Sequence, residues 1–391
     1  MSASAERPGP RRVAVVALFV GLALSLLGAA HWYLARRFVI DPGLAEPLRS
    51  LALGALVVLG AGAVLQPALE RWLKPPWLRI VSFPFLIWMG LFWLSFVWLA
   101  VSDGVLGLMG ASGGRDAAAA RATVVGGLVL GLAGLALRGG LRVPAVRRVE
   151  ISLARWPRAL DGFRIVQISD IHIGPLLGRR FAARLTERVN ALAPDLVAVT
   201  GDLVDGSVEA LREEVAPFGA LSAKHGVFFV TGNHDVYSGG ESWVGRIREL
   251  GLRVLRNERI TIAGGFDLAG VDDHRGDWVH GSTEDLDAAL AGRDAERALV
   301  LLAHDPGTFR RAARRGVDLQ LSGHTHGGQI WPFNYLVRLA VPYVAGLHRV
   351  GASQLYVSRG SGFWGPPMRL LAPAEITELV LRHERGRSLI S

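Results

Sequence analysis

The sequence predicts two unlike regions, an α-helical membrane region of about four spans followed by an α/β domain. Three observations predict this division. Hydrophobic residues make up 50% of the 391-residue chain and mean hydropathy is positive, which is high for a wholly water-soluble protein. The surplus of positive charge is confined to residues 1–148, with 15 Lys/Arg against 6 Asp/Glu, while the remainder holds 28 of each sign. Beyond residue 148, short apolar runs alternate with amphipathic stretches of about 10 to 15 residues, the pattern of βαβ units. The expected regions are therefore 1–148 and 149–391.

Composition narrows the chemistry. The chain has no cysteine, which excludes disulfides and thiolate metal sites, so any metal must be held by His, Asp, Glu or Asn. A net charge of +9 resembles a nucleic-acid footprint. Because the whole excess belongs to the hydrophobic first region, it is better read as setting membrane topology, which argues against a nucleic-acid partner.

Four runs in the first region are free of Asp, Glu, Lys and Arg: Val13–Ala30, Leu51–Leu69, Ile80–Ser102 and Ala122–Leu137. Crossing a bilayer core takes about 20 apolar residues, with about 17 as a lower limit. The third run carries Trp88, Trp93 and Trp98; the fourth is short and rich in glycine. Trp32, Trp72 and Trp77 stand at run ends, as in an interfacial aromatic belt. With the N-terminus inside, the inner segments carry Arg7, Arg11, Arg12, Arg71, Lys74, Arg79, Arg138, Arg142, Arg147 and Arg148. The outer loops carry Arg36, Arg37, Arg49, Arg115 and Arg121. Ten against five places both ends inside, giving a multi-pass protein of the cell (inner) membrane with its second region in the cytoplasm. A rival reading takes Arg11-Arg12 and the following apolar run as a secretory signal cleaved near Ala29-Ala30. Three further spans make an uncleaved first helix the simpler account.

After a linker near Arg142–Arg148, the second region reads as strands Phe163–Ile168, Leu196–Val199, Val227–Val230, Ala298–Leu302 and Leu319–Leu321. Helices are expected over Arg179–Leu192, Val208–Ala223 and Pro306–Arg315, and Arg253–Phe266 and Leu355–Leu381 are β-rich. Each of the five strands stops in polar residues. The ends are Ser169-Asp170-Ile171-His172, Thr200-Gly201-Asp202-Leu203-Val204-Asp205, Thr231-Gly232-Asn233-His234-Asp235, Ala303-His304-Asp305 and Gly323-His324-Thr325-His326-Gly327-Gly328-Gln329. In open α/β sheets, ligand sites collect at the carboxyl ends of strands. His-x-His is a weak signal alone, since histidines also pack in cores, but five strands delivering Asp/His, Asp, Asn/His, His and His/His to one rim is not a random scatter of turns. On an extended backbone His324 and His326 would share a face.

In order, D-x-H, G-D-x-x-D, G-N-H-D, a lone His after a strand, and G-H-T-H resemble the calcineurin-like metallophosphoesterase superfamily. The resemblance covers roughly Arg164 to Leu381. The tail, Tyr356–Gly360 through Gly365–Arg369 and Pro373–Thr377, is similar to its membrane-associated or exported bacterial subgroup. The four-span region is outside the superfamily's common core. The resemblance implies a four-layer αββα sandwich and two divalent metal ions. One ion would be held by Asp170, His172 and His326, the other by Asn233, His304 and His324, with Asp202 bridging. Carboxylate and imidazole suit Mn, Fe and Zn, and two such ions clamp a phosphoryl group and activate hydroxide. His234 would face substrate, donating to a phosphoryl oxygen or to the leaving group. Asp205 matches the carboxylate that orients this histidine, with Asp235 competing for the role. Gly206-Ser207 stand where the family's protein Ser/Thr phosphatases carry a phosphate-gripping Arg, which argues against that substrate class. His274 with Arg275 is read equally as reaching the cleft or lying on the surface. His31, His225, His280, His348 and His383 are read as surface or packing residues, and Arg310, Arg311, Arg314 and Arg315 as a solvated helix face.

The leading expectation is a membrane-anchored metallophosphoesterase, a hydrolase cleaving a phosphodiester with metal-activated hydroxide, on a lipid-linked or a nucleotide substrate. The alternative is a catalytically inactive sensor or structural membrane protein with the same domain. A transporter is disfavoured because no expected span carries a charge. Oligomeric state is left open.

Overall fold

The structure is a computed structural model and describes residues 10–73, 77–110, 113–278 and 283–384. Arg7, Lys74 and His280 lie outside the described residues. The chain divides into two compact units, Met1–Ala68 with Pro84–Gly134, and Leu69–Phe83 with Leu135–Ser391.

The apolar runs become helices α1 (Pro10–Ala35), α2 (Leu48–Trp72), α3 (Trp77–Leu108) and α4 (Arg115–Gly140). All four are long and apolar enough to cross a membrane, and α1 continues unbroken past Ala30. They outrun the charge-free cores, so their ends bring polar residues into the first unit. Asp103, one residue beyond the expected third span, accepts from Tyr33 Oη at 2.7 Å and pairs with Arg37 at 2.7 Å and with Arg121. Arg37 also meets Asp41 at 2.9 Å. This knot ties α1, α3 and α4, and each charge in it has an opposite neighbour, as partly buried ions require. His31 is a packing residue: it stacks on Phe92 with ring centroids 4.3 Å apart and accepts from Trp88 Nε1 at 3.1 Å.

The second unit is an α/β sandwich. Its strands are β1 (Ala145–Leu153), β2 (Phe163–Ile168), β3 (Leu196–Thr200), β4 (Val227–Val230), β5 (Arg253–Val254), β6 (Glu258–Ile262), β7 (Phe266–Gly270), β8 (Ala298–Leu302), β9 (Leu319–Ser322), β10 (Gly346–Val350), β11 (Ser353–Val357) and β12 (Glu375–His383). One six-stranded sheet has the order β1-β12-β2-β3-β4-β5, the other β10-β11-β9-β8-β7-β6. Helices α5 (Arg179–Asn190), α6 (Val208–Leu211), α7 (Asn233–Tyr237), α8 (Glu241–Glu249), α9 (Leu286–Leu290), α10 (Phe309–Arg314) and α11 (Phe333–Ala340) complete it.

Strand alternation explains the four layers. On β2 and β3, Phe163, Ile165, Leu196 and Ala198 meet Val300, Leu302, Leu319 and Leu321 of the other sheet in the central core. Their neighbours Val166, Ile168, Val197 and Val199 face the other way, onto Phe181 and Leu185 of α5 and Trp243 and Ile247 of α8. Leu299 and Leu301 of β8 likewise turn outward onto α9 and Ala312 of α10. Each such aliphatic side chain contributes about 1.5–3 kcal/mol on burial. Gln167 takes an inward position and donates to Thr200 Oγ1 at 2.8 Å and to Ser322 O at 2.9 Å, joining the sheets just below their carboxyl ends.

Three local expectations change. The Arg142–Arg148 stretch is not only a linker, because from Ala145 it pairs in parallel with β12. The Val208–Ala223 helix is broken into α6 and a 3-10 turn, Ala216–Ala220, since Pro217 cannot donate within a continuing helix. The Pro306–Arg315 helix is a 3-10 turn, Pro306–Thr308, leading into α10.

Candidate metal centre

The parallel strands β2, β3 and β4 of one sheet and β8 and β9 of the other end at one rim, and the polar turns follow. These turns are strained. Asp170, His172, Asp202, His324 and His326 all have φ between 49° and 73°, a left-handed region that costs non-glycine residues about 1–3 kcal/mol each. His324 and His326 therefore do not sit on an extended backbone. They reach inward from a turn that also contains Gly327 at φ 62°. Asn233 and His234 likewise begin the single-turn helix α7, so their divergence is helical. Glycine is required for the close approach of these turns: a Cβ on Gly323 would lie 2.2 Å from Asp170 Oδ2, and one on Gly232 would lie 2.2 Å from Asp202 Oδ1.

Three groups of metal-type donors form among the described residues, the donor atoms within each lying no more than 4.8 Å apart. Asp170, His172 and His326 make the first, Asp202, His304 and His324 the second, and His172, Asp205 and His234 a third that shares His172. In the first, His172 Nε2 is 3.0 Å from His326 Nε2, and His326 Nε2 is 3.5 Å from Asp170 Oδ1. In the second, His304 Nε2 is 3.2 Å from Asp202 Oδ2. The same Asp202 oxygen is 3.8 Å from His172 Nε2, so it reaches both of these groups. Asn233 is buried. Its Oδ1 and His324 Nε2 converge on the Arg275 guanidinium, at 3.5 and 3.3 Å.

The donor set fits divalent cations. His304 Nδ1 donates to Thr200 O at 2.8 Å, which turns Nε2 into the centre, where that buried atom has no hydrogen bond. Buried Asp170 Oδ2 also has none. His172 Nδ1 sits 3.0 Å from Asp205 Oδ2, and its Nε2 faces His326 Nε2 at 3.0 Å. Outer nitrogens fixed by carbonyl or carboxylate and inner nitrogens turned to a common centre are what metal-ligating histidines show. Electrostatics agree. Burial, followed by the Asp202 charge, pushes the Asp170 carboxyl up from its ordinary value even though His304 opposes the shift. Burial works against the Asp202 carboxylate too, but His304 holds it well below the usual range. Burial and neighbouring His304 lower His324 to about 4, keeping its imidazole neutral.

His234 stands at the open side. Its Nδ1 is 2.7 Å from Asp205 Oδ1, so one carboxylate holds both His172 and His234. Burial opposes protonation of His234, yet the Asp205 hydrogen bond and the Asp202 charge raise its pKa to about 9. Asp235 is engaged elsewhere: its carboxylate accepts from the backbone N–H groups of Gly232, Asp202 and Leu203 at 2.8–2.9 Å.

Three residues stand out that sequence reasoning did not assign. Arg275 does reach the cleft, whereas His274 is half exposed and 3.7 Å from Asp305. Arg369 is fully buried, donates to Gly362 O, His326 O and Ala372 O, and meets His326 Nδ1 at 3.1 Å. Trp364 lies edge-on to His234 at 5.5 Å. The tail motif containing Arg369 was visible, but its contact with His326 joins residues 43 positions apart. His225, His348 and His383 make packing or backbone contacts away from the centre. Arg311 and Arg315 pair with Glu284 and Asp287 on the surface.

Comparison with known proteins gives consistent matches. The sequence profile of the family described as calcineurin-like phosphoesterase matches residues 163–328. An uncharacterized metallophosphoesterase of Helicobacter pylori (strain J99) is 39% identical over 260 residues, covering 65% of this chain and 69% of that protein. A transmembrane protein with metallophosphoesterase domain from Bos taurus is 41% identical over 254 residues, covering 61% of this chain; the chain spans 57% of the length of that relative. A solved dimetal phosphatase from Danio rerio is 14% identical with a TM-score of 0.38, covering 57% of this chain and 100% of that one.

Proposed function

We propose a specific chemistry for this chain, which belongs to the calcineurin-like phosphoesterase family of phosphoester-bond hydrolases: membrane-anchored, dinuclear-metal-dependent cleavage of a phosphodiester. Helices α1 to α4 serve as the anchor and the sandwich that begins with β1 at Ala145 as the catalytic domain. Asp170, His172 and His326 would hold one divalent ion and Asn233, His304 and His324 the second, with Asp202 placed to serve both. The observation that carries this reading is the Asp202 oxygen, within 3.8 Å of His172 and 3.2 Å of His304. When bound, the two ions supply Lewis acidity toward the phosphoryl oxygens and acidify a water; Mn, Fe and Zn all suit these donors.

The protein's own residues do the rest. Asp205 orients His234 and favours its protonated form, placing it to donate a hydrogen bond to a phosphoryl oxygen or a proton to the departing alkoxide. Arg275 supplies the cation that the family's protein phosphatases carry after the second motif, where this chain has Gly206-Ser207. Its guanidinium, 24% exposed, opens to the cleft and can pair two phosphate oxygens at once. Orientation with the catalytic domain in the cytoplasm follows from the arginine distribution, and a C-terminal reporter fusion tests it.

Purified protein reconstituted with Mn and assayed on a chromogenic phosphodiester tests the chemistry. Turnover is expected, and it should vanish in Asp202→Ala. Absence of turnover on any phosphodiester or phosphomonoester, or turnover unchanged in Asp202→Ala, would overturn the reading.

A further inference from the structure

Helix α11 leaves most of its apolar face exposed. Its sequence, Phe-Asn-Tyr-Leu-Val-Arg-Leu-Ala, has one narrow polar edge formed by Asn334 and Arg338, four positions apart, with the remaining directions apolar. In a water-facing helix the apolar side would turn inward. Here none of its residues is buried: Tyr335 and Leu336 are half exposed and Leu339 is 85% exposed. The residues turned most toward the body are Asn334 and Val337, both half-buried, while Arg338 is exposed like the rest. A Cβ on Gly328 of the turn would lie 2.4 Å from Asn334 Cα, so α11 is seated on that turn at Asn334. Nearby, Leu371 is 77% exposed and Trp364, beside His234, is 50% exposed.

A second, independent observation says what covers this surface. Leu370 N donates to Gln329 O at 2.9 Å and Trp331 N to Leu370 O at 3.0 Å, so the segment carrying Leu371 is laced to the residues that lead into α11. One residue earlier, Arg369 N donates to Ala136 O in the last turns of α4 at 2.8 Å. Backbones touch there: a Cβ on Gly140 would lie 2.4 Å from Pro367 O, and one on Gly139 2.6 Å from Arg369 O. Helix α4 is long and apolar enough to span a bilayer. At 26 residues and 1.5 Å per residue it is about 39 Å long against a hydrocarbon core of about 30 Å, so its end lies at headgroup level. The backbone bonded to that end lies there too.

We propose that α11, with Trp364 and Leu371, inserts shallowly into the bilayer surface beside the metal centre, so that the centre receives the headgroup phosphoester of a membrane lipid from the bilayer itself. A short helix with an apolar sector, aromatic residues and a flanking arginine suits that layer. Trp364 marks the inner border, exposed on one side and 5.5 Å from His234 on the other. The lipid-substrate part of this inference rests on the phosphodiesterase reading; the surface contact does not.

The absence of cysteine in the whole chain makes the contact directly measurable. Full-length protein in phospholipid nanodiscs, with a single Leu339→Cys or Leu336→Cys carrying an environment-sensitive fluorophore, is compared with Ser222→Cys, which precedes β4 and so lies at the opposite, amino end of the strands. The α11 labels are expected to be blue-shifted, quenched by lipid-borne nitroxide and shielded from iodide, with iodide quenching several-fold, about three times or more, weaker than at Ser222. Equal iodide quenching at the two places overturns the proposal. Shielding from iodide without lipid-borne quenching also overturns it, since a protein partner or second copy then covers α11. In the same nanodiscs, Leu336→Glu with Leu339→Glu should raise KM for a phospholipid about tenfold and leave kcat/KM for a soluble chromogenic diester unchanged. Equal loss on both substrates points to a folding role and contradicts the proposal. If the unaltered protein cleaves no phosphoester, the enzymatic reading fails while the labels still decide the surface contact.

Discussion

The two units each hold a cluster of ionisable groups away from bulk water, and they do so in opposite ways. Around Asp103 the cluster is closed: Tyr33, Arg37 and Arg121 all converge on one carboxylate, with Asp41 beside Arg37. At the strand ends the cluster is open: imidazole nitrogens face each other across 3.0 Å, His304 Nε2 and Asp170 Oδ2 lack hydrogen bonds, and five donors sit on left-handed backbone. A closed cluster has each charge paired with an opposite one, although Arg121 Nε is left without a hydrogen bond, and serves architecture. An open one stores strain and unsatisfied lone pairs that only a bound cation relieves.

Breaking each cluster should therefore have different consequences. The largest effect is expected from Asp202→Ala, which removes the oxygen shared by the first two donor groups. Phosphodiesterase kcat should fall by more than about a hundredfold, beyond what loss of an outer-shell partner costs, as measured in steady state with metal in excess. Next is Asp205→Asn, which leaves the donors in place but loosens His172 and His234 together. A fall of roughly 10–100-fold in kcat with weaker metal binding by titration is expected. Chelation comes third. Removing ions supplied at about a hundred times their dissociation constant should cost about 3 kcal/mol, lowering the melting temperature of the catalytic unit by about 5–10 °C in a thermal scan. The smallest effect on function belongs to the closed cluster. Asp103→Asn should destabilise by about 1–3 kcal/mol, since its partners are partly exposed, measured by denaturation in detergent, with kcat on a soluble diester unchanged. A large loss of activity in Asp103→Asn would erase the distinction.

Much of this was legible from residues alone. Four charge-free runs gave the four apolar helices, and the five polar strand ends meet at one rim. Both signals are local: hydropathy needs only a window, and a strand-end motif is contiguous. What escaped depends on distant partners or on backbone angle. β1 looked like a linker because Arg147, Arg148 and Glu150 make it polar, yet it pairs with β12 some 230 residues on. The sharing of a metal turn by His324 and His326 was expected from extended geometry, and positive φ accomplishes it instead. Arg369 could not be assigned without seeing His326 beside it. The exposure of the apolar face of α11 was invisible in principle, because helical periodicity identifies an apolar face but not which way it turns.

The central claim, that the strand-end cluster is a two-ion site bridged by Asp202, is tested most directly by counting metal. Protein purified without chelator, reconstituted with Mn and freed of excess ions should carry about two ions per chain by elemental analysis, the stoichiometry of a dinuclear site. Asp202→Ala should carry clearly fewer, while Asp103→Asn should match the unaltered protein. Near-zero metal in the unaltered protein, or equal metal in Asp202→Ala, would contradict the account.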